Sequence, residues 1–127
     1  MGSTGGCNCG AVRYEAEGPP IRTGLCHCST CRKETGSAFM AYAVWDRSSV
    51  TVTGETRQWT ATTDHRHFCS SCGSSLFATD DAGSELEIRM GTLDDAPTGL
   101  EPGEELWVTR REAWQGPVPR AVQHRKN

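Results

Sequence analysis

The amino-acid sequence predicts one all-β domain made of short antiparallel strands. Three observations support this prediction: a length of 127 residues, a succession of short segments rich in β-branched and aromatic residues, and seven cysteines gathered into three clusters. The hydrophobic fraction is 35%, so the core is expected to be modest, and such domains often depend on an additional cross-link. We therefore expect a single domain over residues 1–127, stabilised at its cysteines.

The predicted strands follow one another along the chain, separated by clusters of Gly, Pro, Asp and Ser. They are AVRYEAE (11–17), FMAYAVW (39–45), VTVTG (50–54), RQWTAT (57–62), SLFAT (75–79), ELEIRM (85–90) and ELWVTR (105–110). No window carries a sustained helical repeat. Only the turn after Cys28 is expected to be helical, with Ser29 as its N-cap and Gly36 closing it in a left-handed conformation.

Charge and hydropathy exclude several classes of partner. The formal net charge is -3 and the pI is about 5.8, which gives no reason to expect a nucleic-acid partner. The one basic cluster, RAVQHRKN at 120–127, is predicted to be a flexible, solvated tail. No apolar run approaches the roughly 20 residues that cross a bilayer. The first residues carry no signal-peptide pattern, so a soluble, cytoplasmic protein without membrane contact is expected.

The cysteine spacing favours metal binding over disulfides. Thiols stay reduced in the cytoplasm, where dense cysteines usually bind metal. The odd number agrees, and a Cys-x-Cys pair fits disulfide geometry poorly. The three clusters are Cys7-x-Cys9, Cys26-x-Cys28-x-x-Cys31 and Cys69-x-x-Cys72.

Local geometry makes each pair of cysteines half of a zinc site. Residues i and i+2 of an extended chain point to the same face, and Gly73 suits the tight backbone of a Cys-x-x-Cys turn. Two pairs would form a closed structural site, and a triplet would leave one coordination position open, as in catalytic sites. Seven sulfurs thus divide as four plus three, which predicts two zinc ions per chain.

Spacing alone leaves two groupings open. One grouping leaves the contiguous triplet Cys26, Cys28 and Cys31 as the open site and closes the other with Cys7, Cys9, Cys69 and Cys72. The other grouping resembles a zinc ribbon: it joins Cys28 and Cys31 with Cys69 and Cys72, and strands Cys7, Cys9 and Cys26. The first is preferred because it keeps the triplet intact and lets the closed zinc join the N-terminal strand to the middle of the chain.

At these motifs the sequence resembles the glutathione-dependent formaldehyde-activating family, which includes the centromere protein V relatives. The matching stretches are GGCNCGAVRYEAEGPP, CHCSTCRKETGSAF, HFCSSCGSSLF, MGTLDD and ELWVTRREAW, in family order over nearly the whole chain. The resemblance implies a zinc-bound fold of β-sheets called a β-tent. It also implies a structural zinc on the four-cysteine set and a catalytic zinc on Cys26, Cys28 and Cys31.

The resemblance further implies a reaction, the condensation of formaldehyde with glutathione to S-(hydroxymethyl)glutathione by a carbon–sulfur lyase. An open zinc suits it, because a metal-bound thiol loses its proton. Three thiolates weaken the metal as a Lewis acid toward the aldehyde, so thiol delivery is favoured over carbonyl activation. The expected cofactor is zinc, and the expected partners are formaldehyde and a small thiol such as glutathione.

Several other residues are candidates for substrate contacts. Arg32 and Lys33 stand beside Cys31 and could clamp the carboxylates of glutathione, although they could equally be surface charges. His67, or His65 two positions before it, could reach the open zinc or act as a base. The four tryptophans are expected mainly in the core, with one as a wall of the substrate cleft.

Two other functions compete with the enzyme. A non-catalytic zinc module that binds a macromolecular partner would favour a basic extension, and only the short tail at 120–127 offers one. A methionine-sulfoxide reductase would need a redox cysteine outside the metal clusters, and none is left over.

Overall fold

Eleven strands and one helix make up the chain in a computed structural model, which describes residues 2–127. The strands are β1 (Gly2–Gly6), β2 (Arg13–Glu17), β3 (Arg22–Cys26), β4 (Met40–Asp46), β5 (Val50–Thr53), β6 (Thr56–Ala61), β7 (Asp64–Cys69), β8 (Ser75–Thr79), β9 (Glu85–Arg89), β10 (Glu104–Leu106) and β11 (Val122–Gln123). The helix is α1 (Ser29–Thr35), and 3₁₀ turns occupy Arg47–Ser49, Met90–Thr92 and Val108–Arg110. The all-β prediction is confirmed.

The strands form two sheets. A three-stranded sheet has the order β1-β2-β5, and an eight-stranded sheet has the order β11-β10-β3-β4-β9-β8-β7-β6. Every pair is antiparallel except those of β10, which runs parallel to β3 and to β11. The larger sheet is therefore mixed rather than purely antiparallel, because β10 returns to β3 only after a long crossover through the rest of the chain.

The main core lies where the small sheet packs on the large one. Alternate residues of β2 point inward, and Tyr14 packs edge-on against Phe77 of β8, with ring centroids 6.1 Å apart. Trp45 of β4 is 1% exposed, and its indole N–H donates to the Gly18 carbonyl at 3.0 Å. The predicted core role is thus confirmed for Trp45, whereas Trp59 and Trp114 are exposed by 44% and 73%.

Some element boundaries differ from the predictions. The structure adds β1, β3, β7 and β11, which local propensity did not indicate. The last predicted strand ends at Leu106, because Trp107 adopts a left-handed backbone with φ 58° and a 3₁₀ turn follows. The N-cap of α1 is Cys28, whose sulfur accepts the Cys31 N–H, and not Ser29. Gly36 does close the helix in the left-handed region, with φ 70°.

The 120–127 segment, expected from its composition to be a flexible tail, runs beside β10. The His124 N–H donates to the Glu105 carbonyl at 2.9 Å, and the Val108 N–H donates to the His124 carbonyl at 3.0 Å. The Trp107 N–H donates to the Lys126 carbonyl at 2.9 Å. In residues 2–127, no helix has the length and apolar character needed to cross a bilayer.

Candidate metal centres and their surroundings

Four sulfurs converge at the ends of two strands. The turn after β1 supplies Cys7 and Cys9, and β7 with the turn that follows it supplies Cys69 and Cys72. The four ligand atoms lie within 4.8 Å of one another. The structure therefore brings together the first of the two groupings considered from the sequence, and the zinc-ribbon grouping is not the one formed.

The two turns share one backbone design. In each, a glycine directly follows the second cysteine and adopts a left-handed conformation, with φ 82° at Gly10 and 79° at Gly73. The Gly10 N–H donates to the Cys7 carbonyl at 3.3 Å, and the Gly73 N–H donates to the Cys69 carbonyl at 3.0 Å. This left-handed step, which costs glycine little, folds each turn so that its two sulfurs face the same side.

The four-sulfur group fits a tetrahedral metal. With metal–sulfur bonds of about 2.3 Å, the sulfurs of a tetrahedron stand about 3.8 Å apart. The Cys9 sulfur lies 3.5 Å from the Cys7 sulfur and 3.7 Å from the Cys69 sulfur, far too distant for disulfides. Backbone amides also point at the sulfurs: Val12 donates to Cys7 at 3.2 Å, and Cys72 donates to Cys69 at 3.5 Å. Such donors favour thiolates, the form that binds zinc.

Three other sulfurs meet at the start of α1. Cys26 ends β3, Cys28 caps the helix and Cys31 lies in its first turn, and the three sulfurs are within 4.8 Å of one another. Cys26 and Cys31 are 6% and 3% exposed, whereas Cys28 is half-buried. Among residues 2–127, no fourth His, Cys, Asp or Glu ligand atom completes this group. The donor set suits a soft metal such as zinc and leaves one coordination position to a non-protein ligand.

A buried guanidinium contacts the three-sulfur group. Arg66 of β7 donates from Nη1 to the Cys31 sulfur at 3.5 Å and to Glu34 Oε1 at 2.7 Å. The Cys26 thiol and, against the effect of burial, Arg66 lower the pKa of Cys31 to about 6. The positive charge of Arg66 thus supports a thiolate at Cys31.

Glu34 holds Arg66 in place. Its carboxylate accepts from Arg89 Nε and Nη2, both at 2.8 Å, and from the Ser75 hydroxyl as well as from Arg66. Burial raises the pKa of Glu34, but the bonds from Arg89, Ser75 and Arg66 outweigh it and lower the pKa to about 2. Glu34 is therefore ionised at neutral pH and fixes two arginines beneath α1.

The chain that carries these two cysteine centres matches a known protein family. The sequence profile described as glutathione-dependent formaldehyde-activating enzyme matches residues 2–110. The chain belongs to this family. The family resemblance carried by the cysteine motifs is thereby confirmed.

Relatives of this formaldehyde-activating family member include two named proteins. A Halomonas elongata protein, provisionally named a glutathione-dependent formaldehyde-activating enzyme, is 37% identical in an alignment 123 residues long; the match covers 87% of this chain and 77% of the relative. An uncharacterized lyase of Schizosaccharomyces pombe is 31% identical over 74 residues, which cover 58% of this chain and 54% of the relative. A Rhodobacter sphaeroides protein of known crystal structure superposes with a TM-score of 0.57 at 26% identity, covering 78% of this chain and 91% of that one.

A buried His–Glu pair lies next to the three-cysteine group of this family member. His27 lies between two of the cysteines, is 0% exposed and bonds through Nε2 to Glu105 Oε1 at 2.8 Å. Glu105 also accepts from the Val118 N–H at 2.7 Å and the Gln123 amide at 2.9 Å. Burial raises the pKa of Glu105, but these three donors outweigh it and lower the pKa. His27 is therefore a packed neighbour of the ligands, not a ligand itself.

Trp107 lies directly beside the triplet. Leu106 of β10 pairs with Cys26 of β3, so the two parallel strands end together and Trp107 follows at the same edge. Its side chain packs against the buried cluster that contains Cys26 and Cys31. The left-handed backbone at Trp107 is unusual for a bulky residue, and such strain is found mainly at functional sites.

The three predicted substrate residues occupy different surroundings. Arg32 pairs with Glu112 and also donates to the Arg110 carbonyl at 3.1 Å, whereas Lys33 is exposed. His67 is stacked on Phe77 with ring centroids 4.5 Å apart, and its Nδ1 lies 2.9 Å from the Thr56 hydroxyl. Burial, then the charges of His65 and Arg47, lower the pKa of His67.

A cavity separates His67 from the helix. Its volume is about 140 Å³, and its lining residues are Glu34, Trp59, Arg66, His67, Phe68, Gly73 and Ser75. The sequence did not indicate a role for Arg66 or Glu34. Their ion pair joins residues 32 positions apart, and nothing in the local segments DHRHFC (64–69) and RKETG (32–36) reveals it. A charged residue in a strand of a small domain is an ordinary surface residue unless the fold brings a partner to it.

Proposed function

We propose that this protein catalyses the reversible addition of a small thiol, such as glutathione, to formaldehyde. Such an enzyme is classed as a carbon–sulfur lyase after the opposite direction, in which the carbon–sulfur bond breaks. The observation that carries the proposal is the group of three convergent sulfurs, to which the described residues 2–127 add no fourth ligand, in a chain of the formaldehyde-activating family. We propose zinc at both cysteine groups: structural at the four-sulfur group, and catalytic at Cys26, Cys28 and Cys31. Seven reduced cysteines also favour a cytoplasmic location.

The reaction joins one thiol and one aldehyde. A carbon–sulfur bond forms while the π bond of the carbonyl breaks, and the thiol proton finishes on the new hydroxyl group. Zinc bound to three thiolates would supply the position at which an incoming thiol loses its proton. The half-buried Cys28 marks the side from which a small molecule can approach, because Cys26 and Cys31 are covered.

Arg66 would balance charge during this step. Three thiolates around a divalent cation carry an excess negative charge, and a fourth sulfur adds to it. The guanidinium at 3.5 Å from the Cys31 sulfur opposes that excess within a buried setting, where charges interact strongly. This supports thiol delivery over carbonyl activation as the role of the metal.

Three side chains near the three-cysteine group are proposed to contact the substrate. Lys33 and Arg32 are positioned on α1, the helix that carries Cys31, and are proposed to attract the carboxylates of the thiol. His67, kept neutral by its lowered pKa, is proposed as a proton acceptor or polar lining in the cavity beside Arg66.

Metal content and thiol binding test the proposal together. Elemental analysis of protein purified without chelator is expected to give two zinc ions per chain. In cobalt-substituted protein, added glutathione is expected to strengthen the sulfur-to-metal charge-transfer band, and Cys31→Ser is expected to abolish that response. The absence of any spectral response to thiols, or a single zinc per chain, would refute the proposal and favour a non-catalytic zinc module.

A further inference from the structure

A groove lined by cations begins beside the three-cysteine group. Its volume is about 390 Å³, and its lining residues are Ser29, Arg32, Lys33, Thr109 and Arg110. Ser29 directly follows Cys28, the most exposed of the three cysteines. All three charged residues of the lining are positive, although the chain as a whole carries a net charge of -3. The groove is therefore lined by positive charge on a molecule whose net charge is negative.

Two of these cations have no acidic partner within residues 2–127. Arg32 pairs with Glu112, but neither Lys33 nor Arg110 takes part in an ion pair in that range. The Arg110 guanidinium lies over the Trp107 ring, 5.9 Å from its centroid, so an aromatic face positions it and its N–H donors stay available. A planar guanidinium with free donors suits a carboxylate, which it can bind through two hydrogen bonds.

The groove also lies at a suitable distance from the sulfurs. Arg32 is one helical turn after Cys28 and bonds to the Cys28 carbonyl through its N–H at 3.0 Å. One turn advances about 5.4 Å along the helix. Ser29, the residue directly after Cys28, lines the groove, so a thiol held near Cys28 would have a carboxylate a few bonds from its sulfur at the entrance of the groove.

We propose that Arg110 and Lys33 bind the carboxylate of the thiol substrate, so that this groove selects anionic thiols over neutral and cationic thiols of the same length. This inference rests on the proposed function, because it assigns the substrate class of the same site. Trp107 is a positioning residue in this arrangement: its left-handed backbone sets the indole that supports Arg110.

The experiment compares three thiols of equal chain length on cobalt-substituted protein. They are mercaptoacetate, 2-mercaptoethanol and cysteamine, which each have two carbons after the sulfur and are anionic, neutral and cationic, and the charge-transfer band measures their affinities. The anionic thiol is expected to bind about tenfold more tightly than the neutral one, as one charged hydrogen-bonding contact allows. Arg110→Ala and Lys33→Ala should each reduce that preference and leave 2-mercaptoethanol binding unchanged. Arg110→Glu should reverse it in favour of cysteamine.

Arg120→Ala is the matched control. The Arg120 side chain is 80% exposed and pairs with Glu101. Arg120 lies just before β11, which pairs with the start of β10, whereas Trp107 follows the end of β10. Its removal should leave all three affinities unchanged. Equal binding of the anionic and neutral thiols, or an equal loss for all three in Arg110→Ala, would overturn the carboxylate site while leaving thiol binding intact. If none of the thiols changes the spectrum, the proposed function fails, and the inference fails with it.

Discussion

Arg66 is the residue that links the three-cysteine group to the buried charges behind it. Its guanidinium contacts the Cys31 sulfur on one side and Glu34 on the other, and its side chain is 10% exposed. In metal sites, groups that hydrogen-bond to the ligand residues orient them and tune metal affinity.

Arg66→Met is expected to weaken zinc binding at the three-cysteine group by about 10- to 100-fold, because the Cys31 thiolate loses its compensating charge. Competition with a chromophoric chelator measures the affinity of the second zinc. The four-cysteine group should keep its affinity in the same variant. Arg13→Met is the control, since Arg13 lies on β2 of the small sheet and pairs with Asp94, away from the three-cysteine group. Equal zinc affinities of the three-cysteine group in Arg66→Met and Arg13→Met would contradict the prediction.

At the scale of elements, the four-cysteine group joins the two sheets. Cys7 and Cys9 follow β1 of the small sheet, and Cys69 and Cys72 lie at the end of β7 in the large sheet. The Asn8 N–H reinforces the junction by donating to the Ser74 hydroxyl at 3.1 Å. A metal there links strands that are distant in the chain, whereas the three-cysteine group lies within one local segment.

Cys69→Ser is therefore expected to unfold or aggregate the protein, because binding of a structural zinc contributes on the order of 10 kcal/mol to folding. Cys31→Ser should keep the fold and lose only the second metal. Thermal melts followed by circular dichroism, with metal counts on the same samples, distinguish the two variants. Identical melting behaviour would show that the two groups do not divide structural and catalytic roles.

The end of the chain also has a predicted energetic role. Gln123 of β11 donates to Glu105, which is 0% exposed and also holds His27. Gln123→Ala is expected to lower the free energy of unfolding by about 1–3 kcal/mol, because a buried carboxylate loses one donor. Urea denaturation measures the loss, and Val122→Ala, at a side chain pointing into solvent, should change little. A value for Gln123→Ala within error of Val122→Ala would argue for a dispensable tail.

The elements differ in how far local sequence determines them. Strands such as β8, with SLFAT, follow from β-branched and aromatic propensity, and the left-handed glycine at the end of α1 followed from the turn chemistry. β1 could not be predicted, because three of the five residues of GSTGG are glycines and Thr4 is its single strand former. A Cβ at Gly5 would stand 2.7 Å from the Tyr14 ring, so glycine is required there by a close approach that only the folded sheet creates.

The residues of the candidate site also differ in whether the sequence could predict them. The three cysteine clusters could be anticipated, since metal sites use short and regular spacings, but spacing left two groupings open and the first was preferred because it keeps the triplet intact. Arg66 and Glu105 could not, because each acts on the triplet through a tertiary contact made from a different strand. Trp107 is a further case, since its left-handed backbone interrupts a segment whose composition favours a strand.

At the scale of the whole molecule, each sheet buries one tyrosine: Tyr14 packs on Phe77 across the two sheets, and Tyr42 donates to Glu104 within the large sheet. The sequence has two tyrosines, Tyr14 on the small sheet and Tyr42 on the large one, and both are 2% exposed. Burial raises the pKa of Tyr14 to about 12, against weaker lowering by Thr92 and Arg13. Burial and then the Glu104 carboxylate raise the pKa of Tyr42 further. Both phenols therefore resist ionisation while the protein is folded.

This makes the protein sensitive to alkali in a defined window. A folded pKa above the unfolded value of about 10 contributes stability that is complete below pH 10 and is lost as the pH rises toward the folded pKa. We expect the free energy of unfolding to fall by about 1.4 kcal/mol per pH unit for each tyrosine above pH 10. Tyrosinate absorbance at 295 nm should appear together with the loss of far-ultraviolet circular dichroism. Tyr14→Phe should make this pH dependence less steep, since one titrating phenol is gone. Tyrosinate forming near pH 10 in a protein with unchanged circular dichroism would contradict the prediction, because the buried phenols would then ionise without any loss of fold.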